Sequence, residues 1–313
     1  MIYFLTPFEG TFPGISRLFE ETINIVGGEH IYLNDLHKVR EKDTIIFGAW
    51  EPSAYPLAIR RCKAKNKIVH WASPPLQAEL ASVEIDYLNT ILNLLDKNVI
   101  QGLWVIEKNN YEILKREGVF YTPVPFSLER LKRYRKKGRD KEGVCFFTVF
   151  HNKQKNVLTQ LGGVLLAQKE TDFFTFFVNG LTEQQKKFVD MIGLQYTDLH
   201  FLPLVEYFEC ISSARLLLQV SVSEAFSYIA AESLALGTPV LSSPIVARNM
   251  GLEEQKLIVN DISNANEISS LISQILEMGD KEYDTLCRDS IKAIEKTAEE
   301  NNKAARDFAF LEL

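Results

Sequence analysis

The sequence lacks any apolar run approaching the roughly 20 residues that a bilayer-spanning helix requires. Its longest, Val144 to Val149 and Arg215 to Val220, are strand-sized, so no segment is expected to span a membrane. Cysteine is scarce, at positions 62, 145, 210 and 287 with no C-x-x-C pair, which argues against a zinc site or a dithiol redox motif. The four are expected to be buried free thiols. An Asp-x-Asp pair of the kind that anchors a divalent cation occurs nowhere. Positive charge is not in excess: the net charge is −6, which argues against general nucleic-acid binding. The N-terminal residues Met1-Ile-Tyr-Phe-Leu-Thr-Pro form an apolar, strand-like run with no basic leader, and a cytoplasmic location is expected.

What is present belongs to a globular protein. With 313 residues, 46% hydrophobic and 24% charged, the chain has the composition of a folded protein and the length of two ordinary domains. Strand-like and helix-like runs alternate throughout, a pattern that produces parallel sheets covered by helices on both faces. The first series of strands is expected at Ile2 to Leu5, His30 to Leu33, Thr44 to Phe47, Lys67 to Trp71, Gly102 to Val105 and Val119 to Thr122. A second is expected at Val144 to Val149, Phe173 to Val178, Leu199 to Leu202, Leu216 to Val220, Pro239 to Ser242 and Leu257 to Ile258. The expected division is a first domain over 1–130, a basic linker over 131–143, a second domain over 144–295, and a last helix over 296–313 that closes the second domain or crosses back to the first.

The most informative stretch is Ser221-Val-Ser-Glu-Ala-Phe-Ser-Tyr-Ile-Ala-Ala-Glu-Ser-Leu-Ala-Leu-Gly-Thr-Pro-Val. A strand ending at Val220 leads into a loop carrying Glu224. A helix then begins near Ser227 and ends at Gly237, before another strand. Ligands of open parallel sheets bind beyond the carboxyl ends of the strands, where helix N-termini offer unpaired amides to an anion. The eight-residue step from Glu224 to Glu232 is slightly over two helical turns, so the two carboxylates can point to the same side. Carboxylates accept hydrogen bonds from vicinal hydroxyls, which suits a ribose or a hexose. On these residues alone, the alternative of an acidic cap and a solvated helix residue stays open.

The stretch resembles the signature of retaining GT-B glycosyltransferases of family four, Ser-x-x-Glu-Gly-Phe-Gly, a helix with a second Glu, and Gly-Thr-Pro-Val. It matches at Ser221, Glu224, Phe226, Glu232, Gly237, Thr238, Pro239 and Val240, with Ala225 and Ser227 standing where the family usually has glycine. The resemblance implies an α/β fold of two Rossmann-like domains facing each other across a cleft. It implies transfer of a sugar from a nucleotide-diphosphate donor to an acceptor hydroxyl with retention of configuration, with no cofactor and no metal. Glu232 would bind the donor ribose, Glu224 the transferred sugar, and the amides of Ala225, Phe226, Ser227 and Tyr228 sugar and phosphate.

The remainder follows the same family in order. Lys155 matches the diphosphate-binding Lys, while Phe150 replaces the usual Arg, leaving His151, Asn152 or Lys153 as its substitute; Asn152 is taken as the donor contact. Phe176 to Gly180 resembles the strand and glycine turn beside the donor, and Leu204 lies in the loop expected to read the base. Gly10 and Gly14, after the first strand, resemble the glycine-rich first loop. His70 and Trp71 resemble the strand end that faces the donor sugar, with His70 in the catalytic role and Trp71 stacking on the acceptor. The segment Arg130 to Lys141 carries eight basic residues. It is read as a solvated linker, the alternative being weak peripheral contact with anionic lipid. The acceptor, whether carbohydrate, lipid-linked or protein, is left open, as is oligomeric state. Two rivals stay open: a nucleotide-sugar epimerase of the same architecture, and a nucleotide-sugar binder without turnover.

Overall fold

The computed structural model describes residues 1–9, 13–48, 55–73, 82–136, 140–147, 153–171, 174–200, 202–252 and 257–309. By its internal contacts the chain divides into one unit of Met1–Ser127 together with the residues from Ala298 onward, and another of Leu128–Thr297.

The first unit is a six-stranded parallel sheet built from β1 (Ile2–Thr6), β2 (Glu29–Tyr32), β3 (Thr44–Phe47), β4 (Asn66–Trp71), β5 (Gly102–Val105) and β6 (Val119–Tyr121). Its order is β2-β1-β3-β4-β5-β6. The intervening helices are α1 (Pro13–Val26), α2 (Tyr55–Arg61), α3 (Ser82–Asp96) and α4 (Lys108–Leu114). Parallel strands are buried on both faces and therefore read as continuous apolar runs, as Thr44–Phe47 and Gly102–Val105 do. One face packs Leu5, Phe47, Val69, Trp71 and Leu103 against Tyr87 and Ile91 of α3. The other gathers Phe4, Phe19 of α1, His70 and Trp104. Phe308 joins this face by stacking on Phe120 and Trp104, at ring-centroid distances of 4.5 and 6.0 Å.

The second unit is a five-stranded parallel sheet of β7 (Val144–Phe147), β8 (Phe176–Asn179), β9 (Thr197–Asp198), β10 (Leu216–Gln219) and β11 (Val240–Ser242), ordered β11-β10-β7-β8-β9. Its helices are α5 (Val157–Glu170), α6 (Glu183–Ile192), α7 (Leu204–Ser213), α8 (Tyr228–Ala235), α9 (Pro244–Asn249) and α10 (Ala265–Leu276). The last helix, α11 (Asp280–Ala309), is 30 residues long, and its residues from Ala298 onward group with the first unit. Here Asn301 donates to the Val124 carbonyl and Asn302 both donates to and accepts from the backbone of Phe126.

Two strand expectations shift. The strand placed at 199–202 is the two-residue β9 at Thr197–Asp198, because His200 turns the chain with a φ of 52° and its carbonyl accepts from the Asn179 side chain. The segment Leu257 to Ile258 contributes only a bridge, Ile258 to Ser242. The supposed linker is also part of the second unit. Residues Glu129–Tyr134 form a 3₁₀ turn, Arg135 donates to the Ala235 carbonyl at 2.7 Å and pairs with Glu295, and Lys136 donates to Ser213. Lys141 is 4% exposed and donates to Thr238 Oγ1 at 2.6 Å. Two of the eight basic residues, Arg135 and Lys141, thus donate to the carbonyls of Ala235 and Leu236 at the end of α8, where the helix dipole is negative, and are not merely solvated.

Candidate functional site

In a parallel sheet every loop that follows a strand emerges at the same edge, so the segments after β7, β8, β10 and β11 are neighbours by topology. The segment after β7 returns at the 3₁₀ turn Lys153–Lys155. It is stitched to the segment after β10 by the Val222 amide, which donates to the Gln154 carbonyl at 2.8 Å. Gln160 of α5 spans the same joint, donating to the Lys155 carbonyl and accepting from the Val220 amide.

Glu224 lies on this stitched floor, 5% exposed. One of its oxygens, Oε1, pairs with Lys155 Nζ and accepts from Gln219 Nε2 at 3.0 Å and Ser221 Oγ at 2.9 Å. Lys155 is itself 7% exposed. Removing two charges from water costs several kcal/mol per ion, recovered only when each is paired and hydrogen-bonded, and this pair is. The match of Lys155 to a diphosphate-binding Lys thus meets a site where its ammonium is already held by the carboxylate expected to bind sugar.

Glu232, on α8, is 3% exposed. Its Oε2 accepts from the Tyr207 hydroxyl at 2.9 Å and its Oε1 lies 3.7 Å from the Arg130 guanidinium. Tyr207 sets its ring edge-on to Phe147, 5.0 Å away at the end of β7, so the Glu232 group is anchored at the same sheet edge as the Glu224 group. The sequence does not single out Tyr207, Gln219, Gln160 or Asn249, and it marks Arg130 only as the start of the basic segment. The only available signal was a glutamine closing the apolar run Leu216–Gln219 and another inside the apolar helix α5.

The loop between the two acids is shaped without glycine. Neither Ala225 nor Ser227 has a positive φ. Ser227 is the N-cap of α8, with φ −102°, its Oγ accepting from the Ala230 amide. An extended N-cap suits serine better than glycine because the side chain satisfies an orphan amide. Asn249 Nδ2 donates to the Ala225 carbonyl at 3.1 Å, and Phe226 meets Tyr228 edge-on at 5.1 Å. Gly180 follows β8 with a φ of 84°. Leu204 is the first residue of α7 rather than part of a loop, and is 55% exposed.

The first-domain expectations fare differently. Gly14 belongs to α1, where no protein atom would crowd a Cβ. Gly10 and Asn152 lie outside the described residues. Trp71 is 3% exposed and sits in the sheet core with Tyr87 and Ile91, where no acceptor sugar can stack. His70 is fully buried, 4.6 Å from the Trp104 ring and 5.8 Å from that of Phe19. Neither of its ring nitrogens has a hydrogen-bond partner among the described residues. It stands in the structure as a core aromatic, and burial pushes its pKa down to about 3.

The unfolded chain takes up a proton near pH 6.5 that the folded chain refuses, so stability is complete above that pH and is lost as pH falls toward 3. Between pH 7 and pH 5 the loss from this residue is about 2 kcal/mol. The variant His70→Leu should lose correspondingly less stability over that interval, as read by urea unfolding at the two pH values; an unchanged pH slope would show that His70 is not the group responsible.

Among the described residues no helix is long and apolar enough to cross a membrane, and no cluster of three His, Cys, Asp or Glu side chains could hold a metal.

No protein-family model and no curated protein sequence matches the chain. Solved structures do. A mutant of TarM from S. aureus, in complex with fondaparinux, alpha-GlcNAc-glycerol and UDP, is 15% identical with a TM-score of 0.70, over 89% of this chain and 58% of that one. An E. coli structure, trehalose-6-phosphate bound with UDP-2-fluoro glucose, is 11% identical with a TM-score of 0.71, over 98% and 97% of the two chains. The pneumococcal O-GlcNAc transferase GtfA, in complex with UDP and GlcNAc, is 12% identical with a TM-score of 0.66, over 88% and 58%. This chain thus spans a little over half the length of two of the proteins it superposes on. At such identities the likeness speaks for architecture: the chain has the GT-B fold, two Rossmann-like domains built on parallel sheets.

Proposed function

We propose that the protein is a glycosyltransferase that moves a sugar from a nucleotide-diphosphate donor to an acceptor hydroxyl, with retention of configuration and without a metal. The observation that carries this reading is the pair of buried carboxylates at one sheet edge, Glu224 tied to Lys155 and Glu232 tied to Tyr207 and Arg130. Support comes also from the fold shared with structures whose complexes contain UDP or a UDP-sugar.

In this reading the ribose hydroxyls donate to Glu232, whose Oε1 exchanges the distant Arg130 contact for a hydroxyl. The diphosphate draws on the Lys155 ammonium, which moves from carboxylate to phosphate as the donor enters. Glu224, released from Lys155, accepts from hydroxyls of the transferred sugar. A nucleoside diphosphate is a good leaving group, so the protein mainly positions the acceptor and stabilises charge on the departing phosphate. The amides opening α8 at Tyr228 contribute positive potential there. The acceptor hydroxyl attacks the face from which the diphosphate leaves, as the family resemblance implies.

Incubation with a panel of nucleotide sugars tests the class of activity. Release of nucleoside diphosphate with sugar transfer or hydrolysis supports the proposal, an epimerised donor replaces it by isomerisation, and binding without turnover reduces it to recognition. Within it, Glu232→Gln should weaken donor binding by about tenfold or more, as loss of a hydrogen bond to a charged group does, with little change in kcat. An unchanged donor Kd by calorimetry would remove Glu232 from the ribose site.

A further inference from the structure

The amino-terminal edge of the second sheet, opposite the edge carrying Glu224 and Glu232, holds a cavity of about 650 Å³. That size falls within the roughly 300–1,000 Å³ of small-molecule sites. One wall is the start of α11. The spacing of Asp280, Lys281, Asp284 and Arg288 places them along one side of the helix, and all line the cavity. The facing wall brings Lys136 and the apolar end of α8 at Leu236, while Ile291 extends the apolar floor.

The charges in this cavity are unevenly satisfied. Lys136 bonds a serine hydroxyl, and Arg288 bonds a backbone carbonyl and a threonine hydroxyl. Neither these two nor Lys281 is ion-paired with a carboxylate among the described residues, whereas Arg135, which also lines the cavity, pairs with Glu295. Lys141, near the lining residue Cys287, is buried on Thr238, and burial lowers its pKa to about 8. Three unpaired cations converging on one cavity suit a phosphate, for which charge-assisted hydrogen bonds are the strong ones. The two aspartates would repel a bare diphosphate but accept readily from hydroxyls. The apolar floor suits the C–H face of a pyranose.

We propose that this cavity binds a phosphorylated sugar, with Lys136, Lys281 and Arg288 on the phosphate, Asp280 and Asp284 on ring hydroxyls, and Leu236 and Ile291 under the ring. The site lies within the second unit and is independent of the nucleotide-sugar reading.

Calorimetric titration of the full chain with glucose 6-phosphate, inorganic phosphate and glucose tests it. The hexose phosphate should bind about tenfold or more tightly than phosphate, and glucose should not bind at millimolar concentration. The double variant Lys281→Ala, Arg288→Ala changes only exposed side chains; it should weaken both phosphate-bearing probes by about tenfold or more. Asp284→Asn should weaken the hexose phosphate alone. Glu232→Gln should leave every titration unchanged, which separates this site from the donor site. The proposal is overturned if the wild-type chain binds none of the probes, if the double variant binds like wild type, or if binding is lost in Glu232→Gln.

Discussion

Glu224→Gln should lower kcat for sugar transfer by about a hundredfold, the scale on which misplacing a reacting group by an ångström slows a reaction, while the KM for the donor stays equal or falls. The split follows from the Glu224 contacts. Its Oε1 carries the Lys155 ammonium together with Gln219 and Ser221, so in the resting protein the carboxylate and an incoming diphosphate compete for one cation. A neutral amide relinquishes that cation, and diphosphate binding is helped or unaffected. The transferred sugar loses its charged acceptor and with it the alignment that the reaction needs. Single-turnover rates and donor affinity measured on the same variant decide the matter. A kcat within threefold of wild type, roughly 0.6 kcal/mol of barrier, would remove Glu224 from the reaction. The variant also leaves Lys155 buried without its counter-charge, a change that is destabilising, so the assay belongs well below its melting temperature.

The second large effect concerns folding rather than turnover. Gly143→Ala should destabilise the protein by about 3–4 kcal/mol, a large share of the 5–15 kcal/mol that holds a typical protein folded. Gly143 opens β7 with a φ of 66°, a conformation costly for any residue with a Cβ. A Cβ there would also stand 2.2 Å from the backbone oxygen of Thr175. That oxygen cannot step aside, because it accepts from the Val144 amide at 2.9 Å and so starts the β7–β8 pairing. Urea unfolding of the variant measures the loss; a change below about 1 kcal/mol, the usual scale of an unremarkable substitution, would show that the two strands can separate there without cost.

Both cases mark where sequence reading stopped. Gly143 is visible only as the polar end of a presumed linker, because the atom that forbids a side chain belongs to Thr175, just ahead of β8 and more than thirty residues away. For Glu224 and Glu232 the local grammar was legible: an apolar strand, Ser227 capping a helix, and Gly237 ending it at a φ of 75°. Such signals arise within one or two turns of chain, where capping and left-handed turns depend on the residue itself. Their partners were not legible. Nothing near Tyr207 or Arg130 in sequence announces a carboxylate, and each meets Glu232 only because α7 and the turn at Glu129–Tyr134 pack beside α8.

The first unit shows the opposite failure. The resemblance points His70 and Trp71, adjacent at a strand end, toward ligand, yet the structure turns one into each core face. In a parallel sheet with both faces covered, alternation carries no inside and outside, so strand parity cannot say which side chain reaches a ligand.

By itself, then, the sequence determined the alternation of strands and helices, the caps and turns, and the strand-loop-helix unit around Glu224. These depend on periodicity and on single-residue backbone preference. Tertiary structure alone decided that Lys155 neutralises Glu224, that much of the basic segment serves the second domain, that His70 is enclosed by rings, and that the start of α11 faces the end of α8. Each of those is a contact between segments far apart in the chain, fixed by which surfaces exclude water together and invisible to any window along the sequence.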